Sequence, residues 1–192
     1  MNDNITTGVS RDAVSACLRN RRTVHEFKPD LPPRELIVRA IDVARWAPNH
    51  RLTEPWHFYL LGRETADGIA DLNAELIAAR GDPEGAERKR KRWRAIPGWL
   101  VLTCDNSEDP VRAREDFAAC CCAAQNMMLY LWSEGVGVKW NTGWVVQDAR
   151  FYDLIWVDRA RETVVGMFWY GYPAEVPKAA RKAVEEILVS LP

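Results

Sequence analysis

"EDPVRAREDFAACCCAAQNMMLYLWSEGVG", residues 108–137, decides how the rest of the chain is read. Pro110 suits the first turn of a helix and Gly135 suits its stop, so the stretch predicts one long helix between them. From Phe117 to Trp132 it is apolar almost all round, with small residues from Ala118 to Ala124. A helix of that kind is central to its fold or lies close against another subunit. Cys120, Cys121 and Cys122 point about 100° apart around it, so they cannot all address one ion. With no CxxC in the chain, they are expected as small apolar core residues, and Cys104 likewise.

The neighbouring segments supply a sheet for this helix. "WLVLTCD" (99–105) is a nearly continuous apolar strand of the sort buried on both faces, and "ETVVGMFWYGYP" (162–173) is another. "WHFYLLG" (56–62) is a strand ended by Gly62, and "GVGVKWNTGW" (135–144) reads as loop and strand. "SRDAVSACLRN" (10–20) predicts a short helix capped by Ser10 or Asp12. A second helix opens after Pro32 and Pro33, carries an apolar stripe from Leu36 to Ala44, and closes before Pro48. Residues 64–94 read as helical with a break at "RGDPEG", polar enough to be an excursion or lid outside the main layer. "QDARFYDLIW" predicts a short helix, and the tail "KAARKAVEEILVSLP" (178–192) resumes a helical period. Helices and a few strands joined by long crossovers, without repeat or flexible linker, imply one α+β domain over residues 1–192.

Composition excludes several partners. The 192 residues carry 26 basic and 27 acidic side chains, so no global field draws the protein to nucleic acid or an anionic membrane. No apolar run approaches the ~20 residues of a membrane span, and "MNDNITTGVSRD" lacks the blocks of a signal peptide. Five cysteines, an odd number, fit a reducing cytoplasm. The basic run "KRKRWR" (89–94), balanced by Glu84 and Glu87, reads as a solvated helix face. The three histidines, His25, His50 and His57, show no metal-ligand spacing, and no GxSxG elbow occurs. Gly135, Gly137 and Gly143 fail as a dinucleotide fingerprint, because the third glycine is misplaced and the segment follows a helix. They act either as a plain turn or as room for backbone amides to approach a flat ring. Nine tryptophans suit flat-ligand pockets and large interfaces.

Two stretches remain. "LRNRRTVHEF" (18–27) sets Arg21 beside Arg22, either to hold an anion or as the solvated end of a helix. "WAPNHRLTEPWHF" (46–58) is a polar, proline-bounded loop, longer than a mere connector needs, of the kind that often carries ligand contacts.

Together "RRTVHEF", "ARWAPNHRLTEPWHF", "GVGVKWNTG" and the C-terminal "VVGMFWYGYP" and "KAARKAVEEI" resemble the nitroreductase family of FMN-dependent oxidoreductases, in its compact nitroreductase-like subgroup. The motifs span residues 11–188 in the family's order. The resemblance implies a nitroreductase-like α+β fold: a central, mostly antiparallel sheet flanked by helices, one long buried central helix, and a homodimer with FMN at the interface. Guanidinium forks meet phosphate oxygens in paired hydrogen bonds, so Arg21, Arg22 and Thr23 inherit the phosphate and ribityl side. Arg181 inherits the basic residue that the family's tail returns there, with Lys182 beside it. His50 matches a flavin-contacting histidine, and Trp140, Asn141, Thr142 and Gly143 match the segment along the flavin ring. Backbone N–H groups of Thr142 or Gly143 are placed to bond flavin N5 or O4.

Two positions depart from the family pattern. His25 stands where Lys or Arg commonly faces flavin N1 and O2, and would serve if the flavin anion raises its pKa. Glu54 replaces the glutamine before "PW" and is expected to turn to solvent or to a basic partner. The implied activity is reduction of nitroaromatics, quinones or other flat acceptors by NADH or NADPH in a ping-pong cycle, with no catalytic side chain beyond the flavin and no metal. The alternatives are a non-catalytic FMN-binding module for storage or sensing, and a specialised flavin dehydrogenase or dehalogenase of the same superfamily.

Overall fold

The two most apolar segments form the middle of the sheet. In the computed structural model, which describes residues 10–192, β2 (Gly98–Asp105) pairs with β4 (Glu162–Gly171), and β1 (Trp56–Leu60) and β3 (Gly137–Asn141) flank them. The order is β1-β2-β4-β3 and every neighbouring pair is antiparallel. β2 is buried from Gly98 to Cys104 and β4 from Val165 to Gly171, so both lose the polar alternation of a one-faced strand. Residues 1–9, where leader features were sought, lie outside the described residues.

Helices cover both faces. On one side lie α2 (Arg34–Ala44) and α5 (Pro110–Ser133), burying Leu36, Ile37, Ala40, Cys120, Ala124, Met127 and Leu131 against Leu100, Leu102, Phe168 and Tyr170. On the other lie α3 (Arg63–Ala78), α4 (Pro83–Arg94) and α6 (Ala149–Leu154). There Ile69, Ala70, Trp93 and Phe151 pack on Trp99, Val101, Met167 and Trp169. Residues 64–94, expected as an excursion, are therefore one covering layer of the core. Three indoles lock that layer: Trp93, Trp99 and Trp169 have ring centroids 5.0–5.8 Å apart in edge-on or tilted contact.

The long helix is capped by Asp109, whose side chain accepts from the Val111 N–H at 2.9 Å. It is central on one side only. Cys120 is buried, Cys121 is half-buried, and Cys122, Ala118 and Phe117 are exposed, which corrects the expectation of three core cysteines. α1 (Arg11–Asn20), capped by Ser10, leans on it and leaves Val14 and Leu18 exposed. These apolar side chains are left exposed among the described residues.

The segment after α1 becomes a short extension of the sheet. Thr23 bridges Val138 in parallel, the Val24 N–H donates to the Val138 carbonyl at 3.2 Å, and Lys28 N–H to the Tyr172 carbonyl at 2.8 Å. Val24 is fully buried. Gly137 makes room for it, since a Cβ there would lie 2.4 Å from the Val24 side chain. The tail corrects a second expectation. Beyond β4 the chain forms a single 3-10 turn, Val184–Glu186, with Ile187, Leu188, Val189 and Leu191 exposed. A helical period without a surface to bury against does not sustain a helix of that length.

Candidate functional site

Arg21 and Arg22 sit where α1 ends. The Arg21 N–H closes the helix on the Cys17 carbonyl at 3.1 Å. The Arg22 guanidinium donates to the carbonyls of Arg19 and Arg21 at 2.6 and 2.9 Å, so it is partly committed to the helix end. Arg21 is different. Its pKa is pushed down by burial and then by the charges of Arg181 and Arg22, which places the tail's Arg181 near the doublet. Among the described residues none of these three arginines pairs with a carboxylate. Crowded cations without a counter-charge are relieved by an anion. The doublet thus sets cations close together without a carboxylate partner among the described residues, and Thr23 lies beside it, exposed at the sheet edge.

A second group of cations surrounds His25 and β3. Arg92 donates from a guanidinium nitrogen to the His25 carbonyl at 3.4 Å. The His25 imidazole is pushed toward its neutral form by burial, then by Lys139 and Arg92, with Glu26 opposing. Lys139 on β3 holds its ammonium 4.8 Å from the centre of the Trp169 ring, and its pKa is lowered by burial, Arg92 and Lys89. The basic run on α4 therefore divides. Arg88, Arg90 and Arg94 pair with Glu84, Glu87 and Asp71, whereas Lys89 and Arg92 approach Lys139. Both are exposed, as a solvated face requires, and what the sequence did not show is that they turn towards β3. Their i, i+3 spacing, which sets both on one helix side, was the available signal.

β3 leads from this cluster to an open turn. Trp140 is committed to the sheet: its indole N–H donates to the Val165 carbonyl at 3.2 Å and its ring packs on Phe168, centroids 5.1 Å apart. Asn141 donates to the Lys139 carbonyl at 3.4 Å. Thr142 and Gly143 are exposed, and a Cβ at Gly143 would meet nothing within 4 Å, so the backbone there is open to a flat group. Arg21, Arg22, Thr23, His25, Arg181 and the Trp140–Gly143 segment thus share the β3 side of the molecule.

His50 does not join them. It lies in a 3-10 turn, His50–Leu52, just before β1, at the opposite edge of the sheet. Three strand spacings separate the edges, roughly 14 Å at 4.8 Å per strand. The loop is strained: Arg51, Leu52 and Glu54 have φ of 57°, 52° and 46°. It is held by the Asn49 side chain, which accepts from the Glu54 N–H at 3.0 Å, and by Thr53, whose hydroxyl donates to buried Asp116 at 2.6 Å. A polar cavity of about 430 Å³ opens beside it, lined by His50, Arg51, Arg112 and Glu115 among others. Glu54 is exposed, as expected, and so is Trp46. One chain therefore does not gather every residue singled out in the sequence.

A four-stranded antiparallel sheet between helical layers defines an α+β protein, and cations without a carboxylate partner among the described residues, with an open turn on the same side, make its β3 side the candidate site for an anion and a flat group. The chain belongs to the nitroreductase family, whose model matches residues 18–172. It is 27% identical over 169 residues to the putative NAD(P)H nitroreductase YfhC of Bacillus subtilis, covering 86% of this chain and 87% of that one. It is 24% identical over 163 residues to the putative NAD(P)H nitroreductase YdjA of Escherichia coli K12, covering 81% and 86%. The nitroreductase-like family protein from Bacillus cereus has the same fold, with a TM-score of 0.84 at 25% identity over 95% of this chain and 98% of that one. The FMN-dependent nitroreductase NfnB from Mycobacterium smegmatis, solved with NADPH, shares the fold at a TM-score of 0.75 and 16% identity, covering 94% and 99%.

Proposed function

We propose that this protein is an FMN-dependent oxidoreductase that takes electrons from NADH or NADPH and passes them to a flat acceptor such as a nitroaromatic or a quinone. Family membership supports the class, as do relatives named NAD(P)H nitroreductases and fold neighbours described with FMN or NADPH. The observation that carries the reading is two groups of cations on the β3 side, Arg21 with Arg22 and Arg181, and Lys139 with Arg92 and Lys89. It fits FMN in charge and order: a phosphate with nearly two negative charges at one end, and a ring that gains negative charge on reduction at the other.

In this reading Arg21 and Arg181 hold the phosphate, with Thr23 on the ribityl side and Arg22 in a lesser part. Arg92 and Lys139 would supply a positive field to the reduced ring, and the His25 imidazole, pushed towards its neutral form, would add less. The exposed Thr142 and Gly143 backbone would serve the N5 and O4 edge of the ring. FMN, when bound, supplies hydride acceptance and donation. The chain's own residues bind it, orient it and set its charge environment, and no side chain is required as a dedicated acid or base. The same field weighs against a mere storage module, which has no need to stabilise a reduced ring.

His50 reaches such a site only from a second copy of the chain. The exposed apolar side chains of Val14, Leu18 and Phe117 and the exposed apolar tail support a homodimer with each site completed across the interface. Ping-pong kinetics follow if reductant and acceptor use the same face in turn. The test is steady-state kinetics with NADPH and a nitroaromatic: parallel double-reciprocal lines support the reading, and intersecting lines with a flavin-free protein contradict it.

A further inference from the structure

Lys139 stands on β3 between Val138 and Trp140, which both pack on the α2–α5 side of the sheet. Strand alternation turns Lys139 to the other face, the one that α4 covers. There it is the direct cross-strand partner of Trp169 on β4, and Trp169 is in turn opposite Trp99 on β2. A lysine and two indoles thus make one row across three strands. Trp93 of α4 closes on both indoles, with ring centroids 5.8 Å from Trp99 and 5.0 Å from Trp169.

No counter-ion holds the ammonium in that row. Arg92 and Lys89 repel it, and no carboxylate pairs with it among the described residues. A lysine stem is flexible, so repulsion alone would carry the charge away from α4. The contact that opposes this is the face of Trp169, whose ring centre lies 4.8 Å from Nζ. The rest of that indole is costly: its N–H is buried without a hydrogen-bond partner among the described residues. A phenyl ring would strand no donor there, but it offers a cation a weaker face than an indole does.

We propose that Trp169 is a positioning residue, its indole face seating the Lys139 ammonium so that the positive charge on the β3 side stays fixed in place. At 2% exposure Trp169 does not itself reach a ligand, so it acts through Lys139 alone. What the seated charge acts upon rests on the FMN reading; how it is seated rests only on the row of side chains.

The test joins proton–carbon NMR of protein carrying isotope-labelled lysine to redox titration of bound FMN. One lysine ε-CH₂ signal should lie upfield through the ring current of Trp169, and it should vanish in Lys139→Met. Trp169→Phe should move that signal towards the ordinary lysine position. It should also lower the two-electron midpoint, a change of about threefold to tenfold in the preference for the reduced ring. In a Lys139→Met background the same substitution should leave the midpoint where it is. Trp99→Phe, in the same row but not under the ammonium, should lower stability and shift the midpoint far less. A Lys139 signal at the ordinary position overturns the proposal, and the unsubstituted protein alone decides that point should Trp169→Phe fail to fold. Equal midpoint shifts in Trp99→Phe and Trp169→Phe also overturn it, as does a Trp169→Phe shift that survives in Lys139→Met. A protein that takes up no FMN yet shows the upfield signal would sink the FMN reading and leave the seating of Lys139 standing.

Discussion

The Thr53 hydroxyl and the Asp116 carboxylate meet at 2.6 Å, joining the strained loop before β1 to the buried face of α5. Arg112, one helical turn earlier, adds a longer contact to the other carboxylate oxygen at 3.3 Å. Thr53→Val removes the donor and leaves a charged acceptor with reduced pairing, so a loss of about 1–3 kcal/mol in urea unfolding is expected. Thr53→Ser keeps the hydroxyl and should cost much less. Equal stability of the valine and serine variants would show that the loop is not tied down here.

The anion end is tested at the doublet. Arg21→Ala should weaken FMN binding by about tenfold or more at low salt, the scale of a lost charge-assisted contact. Arg22→Ala should cost less, because its guanidinium already serves the Arg19 and Arg21 carbonyls. Fluorescence titration with FMN ranks the two, and an order opposite to this one would reassign the phosphate ligand.

The ring end is tested by redox titration. Removing a cation near N1 and O2 disfavours the reduced ring, so Arg92→Ala and Lys139→Ala should each lower the two-electron midpoint of bound FMN. A loss of about 1.4 kcal/mol corresponds to about 30 mV. His25→Ala should shift it little, since burial and the neighbouring cations already favour the neutral imidazole. A large shift for His25→Ala with none for the other two would restore the histidine as the charge donor.

Stability at high pH follows from two phenols. Tyr59 is pushed up to about 12 by burial and by Glu162, whose carboxylate accepts its hydroxyl at 2.9 and 3.0 Å, and Tyr170 to about 12 by burial alone. Both folded values exceed the ordinary 10. Their contribution is therefore complete below pH 10 and is lost as pH rises towards 12, because the unfolded chain ionises first. Melting temperature should fall across pH 10–12, and Tyr59→Phe should flatten part of that fall. An unchanged slope in the variant would mean that Tyr59 titrates normally.

Much of the fold was legible because burial writes itself into composition. The apolar runs of β2 and β4 and the small-residue stretch of α5 have no other stable setting than the middle of a layered core. The tail was misread for the converse reason: residues 178–192 have a helical period but no surface within the chain to pack it on. The side a helix turns was also hidden. Lys89 and Arg92 differ from Arg88, Arg90 and Arg94 only in what β3 places opposite them, and Cys122 differs from Cys120 only by its angle around α5. His50 lay in a recognisable motif, yet its separation from Arg21 depends on strand order, which linear spacing does not encode.

The most direct measurement is the visible spectrum of the purified protein before and after addition of NADH or NADPH. A flavin spectrum that bleaches with reductant and returns when a nitroaromatic or quinone is added is the expected result. A colourless protein that takes up no added FMN would contradict the account at its root.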